Sequence, residues 1–200
     1  MIRAVFLDQG GALESECLGA EPTRLMSDVF EGLRLLQRAG YAVVVVTHQS
    51  GVAKGYLGES DVQRMKAYLE ARLIEEDIPL GGFYYCPHHP EGQLRRYAVH
   101  CLCRKPQPGL LIRAASELGI DMAQSWMVGP TLDDMETGRW AGCRTVLLTK
   151  GHETEWNLTE SRWPDYIAGT ILEASQLIAL SNSRAAAKYP LDRLTRPPLL

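Results

Sequence analysis

The sequence predicts an α/β protein: a parallel sheet of five or six strands, covered by helices on both faces. Three observations carry this. Short apolar runs of strand length alternate with amphipathic runs of helical length along the chain. The strand runs are apolar at nearly every position, which suits strands buried on both faces rather than one. Polar, glycine-containing turns follow the strands, and open parallel sheets collect their chemistry at such carboxyl ends. A chain of 200 residues suits one domain with a sizeable core.

The elements follow in order. Ile2 to Leu7 is the first strand, and it stops at Asp8 with Gly10 and Gly11 close behind. A polar loop over residues 10–26 comes next. Ser27 is the expected cap of a helix whose apolar stripe is Val29, Phe30, Leu33, Leu35, Leu36 and Ala39, and Gly40 stops it. Tyr41 to Val46 is the second strand, with four valines in a row, ending in Thr47-His48-Gln49-Ser50-Gly51. A long amphipathic helix is expected over Glu59 to Glu76, capped by Ser60. Gly82 to Tyr85 reads as a third strand. Residues 86–105 are irregular and rich in Cys, His and Pro. Pro108 opens a helix that runs through Leu118 and is closed by Gly119. Ser125 to Gly129 is the fourth strand. Pro130 to Asp134 leads into a helix ending near Gly142, and Arg144 to Leu148 is the fifth strand. A last helix is expected over Ile171 to Leu180.

Charge and composition exclude several classes. The net charge of −3 shows no basic excess for nucleic acid or an anionic membrane surface. No apolar run reaches the length of a spanning helix. The start of the chain passes straight into a strand without the features of a signal peptide, so a soluble, cytoplasmic protein is expected, taken as a monomer. Residues 181–200 carry Arg184, Lys188, Arg193 and Arg196 against Asp192, with three prolines. They read as a mobile basic tail after a domain over 1–180, either solvated or a docking segment for an acidic protein partner.

Four strand ends carry groups that could converge. Asp8 is a candidate nucleophile, and the hydroxyl of Thr47 and nearby amides could hold a phosphate. Lys105 is a cation placed to neutralise it, and Asp133 and Asp134 form an acidic loop for a divalent ion. Together these are the parts of phosphoryl transfer through an aspartyl phosphate. A second signal is more local. Cys86-Pro87-His88 and Cys101-Leu102-Cys103 place three thiolates and an imidazole within 18 residues, the donor set of a closed structural zinc site that pins a polar loop. His89 and His100 are adjacent imidazoles, but neighbouring residues point apart, which favours His88. Cys17 and Cys143 have no such company and read as small buried residues.

Several stretches resemble the haloacid dehalogenase (HAD) superfamily, and within it the bacterial heptose-bisphosphate phosphatases, sisters of the histidinol-phosphate phosphatases. They are Phe6-Leu7-Asp8, Val45 to Gly55 around Thr47-His48-Gln49, Tyr84 to Gly92, Cys101-Leu102-Cys103-Arg104-Lys105-Pro106 and Met127-Val128-Gly129. The likeness covers residues 2–180, and the zinc loop of 86–103 is its most specific piece. It implies a HAD-like Rossmannoid three-layer sandwich without a large cap domain. It further implies that Asp8 is nucleophile and magnesium ligand, that Thr47, His48, Gln49 and Lys105 line the phosphate site, that Arg104 reaches a sugar phosphate, and that Cys86, His88, Cys101 and Cys103 bind zinc. Three positions depart from the family pattern. The acid-base Asp two residues after the nucleophile is Gly10, which keeps only its carbonyl for magnesium. The metal-ligand Asp after Gly129 is Pro130, leaving Asp133 and Asp134 as the nearby carboxylates. The Asn usual after the threonine is His48. The expectation is a phosphatase fold with little or no turnover, with structural zinc and with magnesium weak or lost. The alternatives are an active sugar-phosphate phosphatase with displaced groups, and a non-enzymatic binding or regulatory protein.

Overall fold

A computed structural model describes residues 1–13, 25, 28–149 and 157–181. Six strands form one sheet: β1 (Arg3–Leu7), β2 (Tyr41–His48), β3 (Leu80–Cys86), β4 (Trp126–Gly129), β5 (Arg144–Leu148) and β6 (Tyr166–Ala168). Their order is β3-β2-β1-β4-β5-β6, and every pairing is parallel. The helices are α1 (Val29–Arg38), α2 (Ser50–Ala53), α3 (Glu59–Ile74), α4 (Gly109–Leu118), α5 (Leu132–Trp140) and α6 (Ile171–Ser181).

The all-apolar strands divide their side chains between two layers, because successive residues of a strand point to opposite faces. Val5 and Leu7 of β1 join Val43 and Val45 of β2 under α1, α3 and α6, with Leu33, Leu36, Leu69, Leu73 and Ile178. Ala4 and Phe6 join Val44 and Val46 on the other face, under Leu110, Leu111 and Ala114 of α4. This is the expected three-layer α/β sandwich. No described helix is long and apolar enough to cross a membrane.

The topology sets where chemistry can lie. From β1 the chain moves outward to β2 and β3, then returns across β1 to build β4, β5 and β6 on the other side. That reversal opens a crevice at the carboxyl ends of β1 and its neighbours. Asp8 stands there, its N–H donating to the Val128 carbonyl at 3.1 Å.

Several local expectations are corrected. β3 runs from Leu80 to Cys86, longer than residues 82–85, because pairing with β2 rather than its own composition sets its length. The sixth strand, allowed for in number, was not located along the chain: the three residues of β6 are too few to show a period, and pairing with β5 defines them. Ser60 lies inside α3. The cap position is Gly58, whose N–H donates to the Asp61 carboxylate at 2.6 Å. The loop after β1 begins with a wide helical turn over Gln9–Leu13. Ser27, Cys17, most of the loop over 10–26 and residues 182–200 of the tail lie outside the described residues.

Candidate active site and metal centre

Three side chains far apart in sequence meet in the crevice. The Lys105 ammonium lies 2.6 Å from Asp8 Oδ1 and 2.5 Å from Asp134 Oδ1. Lys105 is buried, and Asp134 is only 1 % exposed. Burial pushes the Lys105 pKa down, but the carboxylates of Asp134 and Asp8 outweigh it, and the net direction is up. The lysine therefore stays charged, as a buried ion pair requires.

Asp134 serves two tasks. Its Oδ2 accepts from the N–H of Thr131 at 3.0 Å and from its hydroxyl at 2.7 Å, while its own N–H donates to Thr131 Oγ1 at 3.2 Å. This reciprocal cap starts α5. The remaining oxygen, Oδ1, takes Lys105. Gly129 makes room for the arrangement: a Cβ there would fall 2.4 Å from Asp134 Oδ2. Asp133 is engaged elsewhere, pairing with Arg162 at 2.8 Å, and Arg162 also approaches Glu136. Arg162 carried no local sequence signal, because its partners lie on α5, more than twenty residues earlier.

Thr47 lies near the end of β2 and Gln49 just past it, and both are buried. The Gln49 amide donates to Thr47 Oγ1 at 3.3 Å and to Gln9 Oε1 at 3.5 Å. Gln9, 1 % exposed, is a site residue that the sequence reading missed. Its signal was present: a polar residue next to Asp8, two places after a buried strand. His48 Nε2 accepts from the Lys105 backbone N–H at 2.5 Å and so anchors the lysine turn to β2. Burial, then the charges of Lys105 and Arg104, push the His48 pKa down to about 3. The imidazole is neutral near pH 7 and acts as an acceptor. Arg104 donates to the His88 carbonyl at 3.4 Å, linking the lysine turn to the Cys/His loop.

That loop closes on a cluster. One ligand-type atom each from Cys86, His88, Cys101 and Cys103 lies within 4.8 Å of every other. The sulfurs are separated by 3.6 Å (Cys86 to Cys101), 3.3 Å (Cys86 to Cys103) and 3.1 Å (Cys101 to Cys103). His88 Nδ1 lies 3.3 Å from Cys103 Sγ. Around a tetrahedral zinc with Zn–S near 2.3 Å, sulfurs sit about 3.8 Å apart, so small outward movements would seat the ion. The donor set and its geometry fit zinc. His89 Nδ1 instead accepts from the Glu91 N–H at 3.1 Å, and His100 is exposed. Cys143 is buried alone among apolar residues, which pushes its pKa up to about 12.

The cluster is built from one strand end and one turn. Cys86 closes β3 and pairs in register with His48 of β2, and its carbonyl accepts from the Gln49 N–H at 2.9 Å. Cys101 and Cys103 lie in the turn before α4, where Gly109 donates to the Leu102 carbonyl at 2.9 Å. A Cβ on Gly109 would fall 2.2 Å from that carbonyl, so the turn requires glycine.

Comparison with known proteins places this geometry. The HAD-hydrolase-like family model matches residues 102–174. The D-glycero-beta-D-manno-heptose-1,7-bisphosphate 7-phosphatase of Salmonella typhi is 38% identical over 152 residues, covering 74% of this chain and 81% of that protein. The protein of the same name from Haemophilus influenzae is 34% identical over 181 residues, covering 89% and 97%. Among solved structures, a putative HAD-like phosphatase from Mesorhizobium loti is 28% identical with a TM-score of 0.74, covering 88% of this chain and 87% of that one. A D,D-heptose 1,7-bisphosphate phosphatase from B. bronchiseptica, complexed with magnesium and phosphate, shares the fold at 22% identity and a TM-score of 0.76, covering 90% and 99%. With the sheet order, the strand-end carboxylate and these likenesses together, the chain belongs to the HAD-like hydrolases, in the family of the heptose-bisphosphate phosphatases.

Proposed function

We propose that this protein binds a phosphorylated sugar of the heptose-bisphosphate type at the Asp8–Thr47–Lys105 crevice and hydrolyses it slowly or not at all. One observation carries the reading: the described acids and imidazole around Asp8 are each committed to another partner. Asp134 holds Lys105 and caps α5. His48 accepts the Lys105 N–H, and Asp133 pairs with Arg162. At position 10, where acid-base chemistry would be expected, the side chain is a hydrogen atom. Losing a general acid-base group costs typically about 10²–10⁴-fold in rate.

Magnesium would supply charge stabilisation to a transferring phosphoryl group. The donors present do not make a strong site for it. Asp8 is already paired with an ammonium, Gly10 offers only a carbonyl, and Pro130 brings no carboxylate. The zinc centre is a different matter: its four donors converge, and by pinning the 86–103 loop they would hold Arg104 and Lys105 at the crevice.

The test is a steady-state assay on D-glycero-D-manno-heptose 1,7-bisphosphate with magnesium. Wild type is expected below about 1 s⁻¹, the low end of ordinary turnover. Restoring both carboxylates, Gly10→Asp with Pro130→Asp, is expected to raise the rate by at least about 10²-fold. Ordinary turnover by the wild type would overturn the reading.

A further inference from the structure

We propose that Gln49, steadied by Gln9, is a positioning residue that makes the Thr47 hydroxyl a fixed donor and so sets the crevice for fully ionised phosphomonoesters. This deepens the reading of the crevice as a phosphate site and rests on it.

A threonine hydroxyl has one proton and two lone pairs, and it rotates to suit whatever bond its surroundings offer. In a phosphate site the direction it takes decides which anion fits. A hydroxyl that donates favours an anion whose oxygens only accept. One that accepts favours an anion that still carries a proton. The surroundings of Thr47 remove the choice. Gln49 Nε2 donates to Thr47 Oγ1 at 3.3 Å. That amide occupies a lone pair and offers nothing to the hydroxyl proton. The His48 carbonyl lies 3.5 Å from the same oxygen, long for an O–H donor. The proton is left for a ligand.

The amide is itself set in place. Gln49 Nε2 also faces Gln9 Oε1 at 3.5 Å. The contact is long, but Gln9 is 1 % and Gln49 8 % exposed, so neither amide can exchange it for bulk water. With Nε2 between two oxygens, both of its protons have an acceptor. Turning the amide over would set its carbonyl oxygen against that of Gln9. Neither glutamine is charged, so the pair governs direction, while the Lys105 ammonium beside Asp8 supplies the charge. A phosphomonoester has its second pKa near about 6, so near neutral pH its phosphoryl oxygens are almost all acceptors. A donating Thr47 matches them. An accepting one would set lone pair against lone pair.

The experiment measures binding of inorganic phosphate and of sulfate to the full chain by isothermal titration calorimetry at about pH 8. Both anions are then mainly dianions, but phosphate keeps one proton and sulfate keeps none. Gln49→Met frees a lone pair of Thr47 to accept the phosphate proton. Its ratio of phosphate to sulfate affinity is expected to rise about 3–10-fold over wild type, the worth of one hydrogen bond. The same substitution made in Thr47→Val is expected to leave the ratio unmoved. Contacts of the anion with Asp8 and Lys105 are common to all these chains and cancel in the comparison. A general loss of affinity does not move a ratio read within one protein. Where Gln49→Met fails to fold, Gln9→Met carries the test, with a smaller rise in the same direction. An unchanged ratio in the folded variant, with wild type binding both anions, would overturn this proposal and leave the phosphate site standing. An equal rise in the Thr47→Val background would show that Gln49 acts on the anion directly, and would overturn it too. No binding of either anion by wild type would overturn both the proposal and the phosphate site it rests on.

Discussion

Lys105 shows at the residue scale how few side chains hold the crevice together. One ammonium pairs with two carboxylates that its own chain segment does not contain, Asp8 and Asp134. Replacing it by methionine, Lys105→Met, leaves a buried acid without its cation. The expected loss is about 3–5 kcal/mol in urea unfolding, as for other broken buried pairs. A change below about 1 kcal/mol would show that the triad is not buried as described. His48 gives a pH dependence of definite sign. Its folded pKa, about 3, lies below the ordinary histidine value of about 6.5. The stability linked to neutral His48 is complete above pH 6.5 and is lost as pH falls from there towards 3. His48→Gln keeps an acceptor and removes the titration. Over that window the wild type should lose more stability than the variant. The comparison cancels acid effects common to both chains, including those on the Cys/His cluster.

At the scale of elements, the same turns that make the fold also aim the site. The cap of α5 and the partner of Lys105 are one residue, Asp134. The Cys101–Cys103 turn leads directly into Arg104 and Lys105 and rests against the start of α4. Gly109→Ala should therefore act at a distance. Its Cβ would displace the Leu102 backbone, with an expected cost of about 1–3 kcal/mol and weaker metal retention. Metal analysis of the purified wild type is expected to give one zinc per chain. Cys103→Ser should lower that content sharply, and Cys143→Ser, outside the cluster, should leave it unchanged. Equal zinc in all three proteins would place the metal elsewhere.

The molecule as a whole explains why Asp8, Thr47, Lys105 and Asp134 share a crevice. Asp8 and Thr47 stand at the ends of β1 and β2, Asp134 lies in the first turn of α5 after β4, and Lys105 comes from the turn before α4; the reversal of strand order around β1 brings these segments together. The six strands, both core layers and the crevice all lie within residues 1–181. Deleting residues 183–200 is therefore expected to shift the thermal midpoint by no more than about a degree or two, below the effect of 1 kcal/mol in a chain this size. Differential scanning calorimetry of the two chains would check this. A larger fall would show that the basic segment is part of the domain.

The sequence by itself determined the class, most of the strand and helix succession, and most of the candidate residues. Apolar runs and glycine stops are local properties, and the spacing of Cys86, His88, Cys101 and Cys103 can be read without coordinates. Gly10 and Pro130 were equally legible, since a missing carboxylate is visible in the chain itself. Tertiary structure alone decided the partners. β6 exists because β5 offers it an edge. Asp133 and Asp134 are neighbours with the same chemistry, yet a helical start sends one to Arg162 and the other to Lys105. His48 became a backbone acceptor only because the Lys105 turn folds over β2. Directional contacts between distant segments depend on where the sheet places each strand end, and no local pattern encodes that placement.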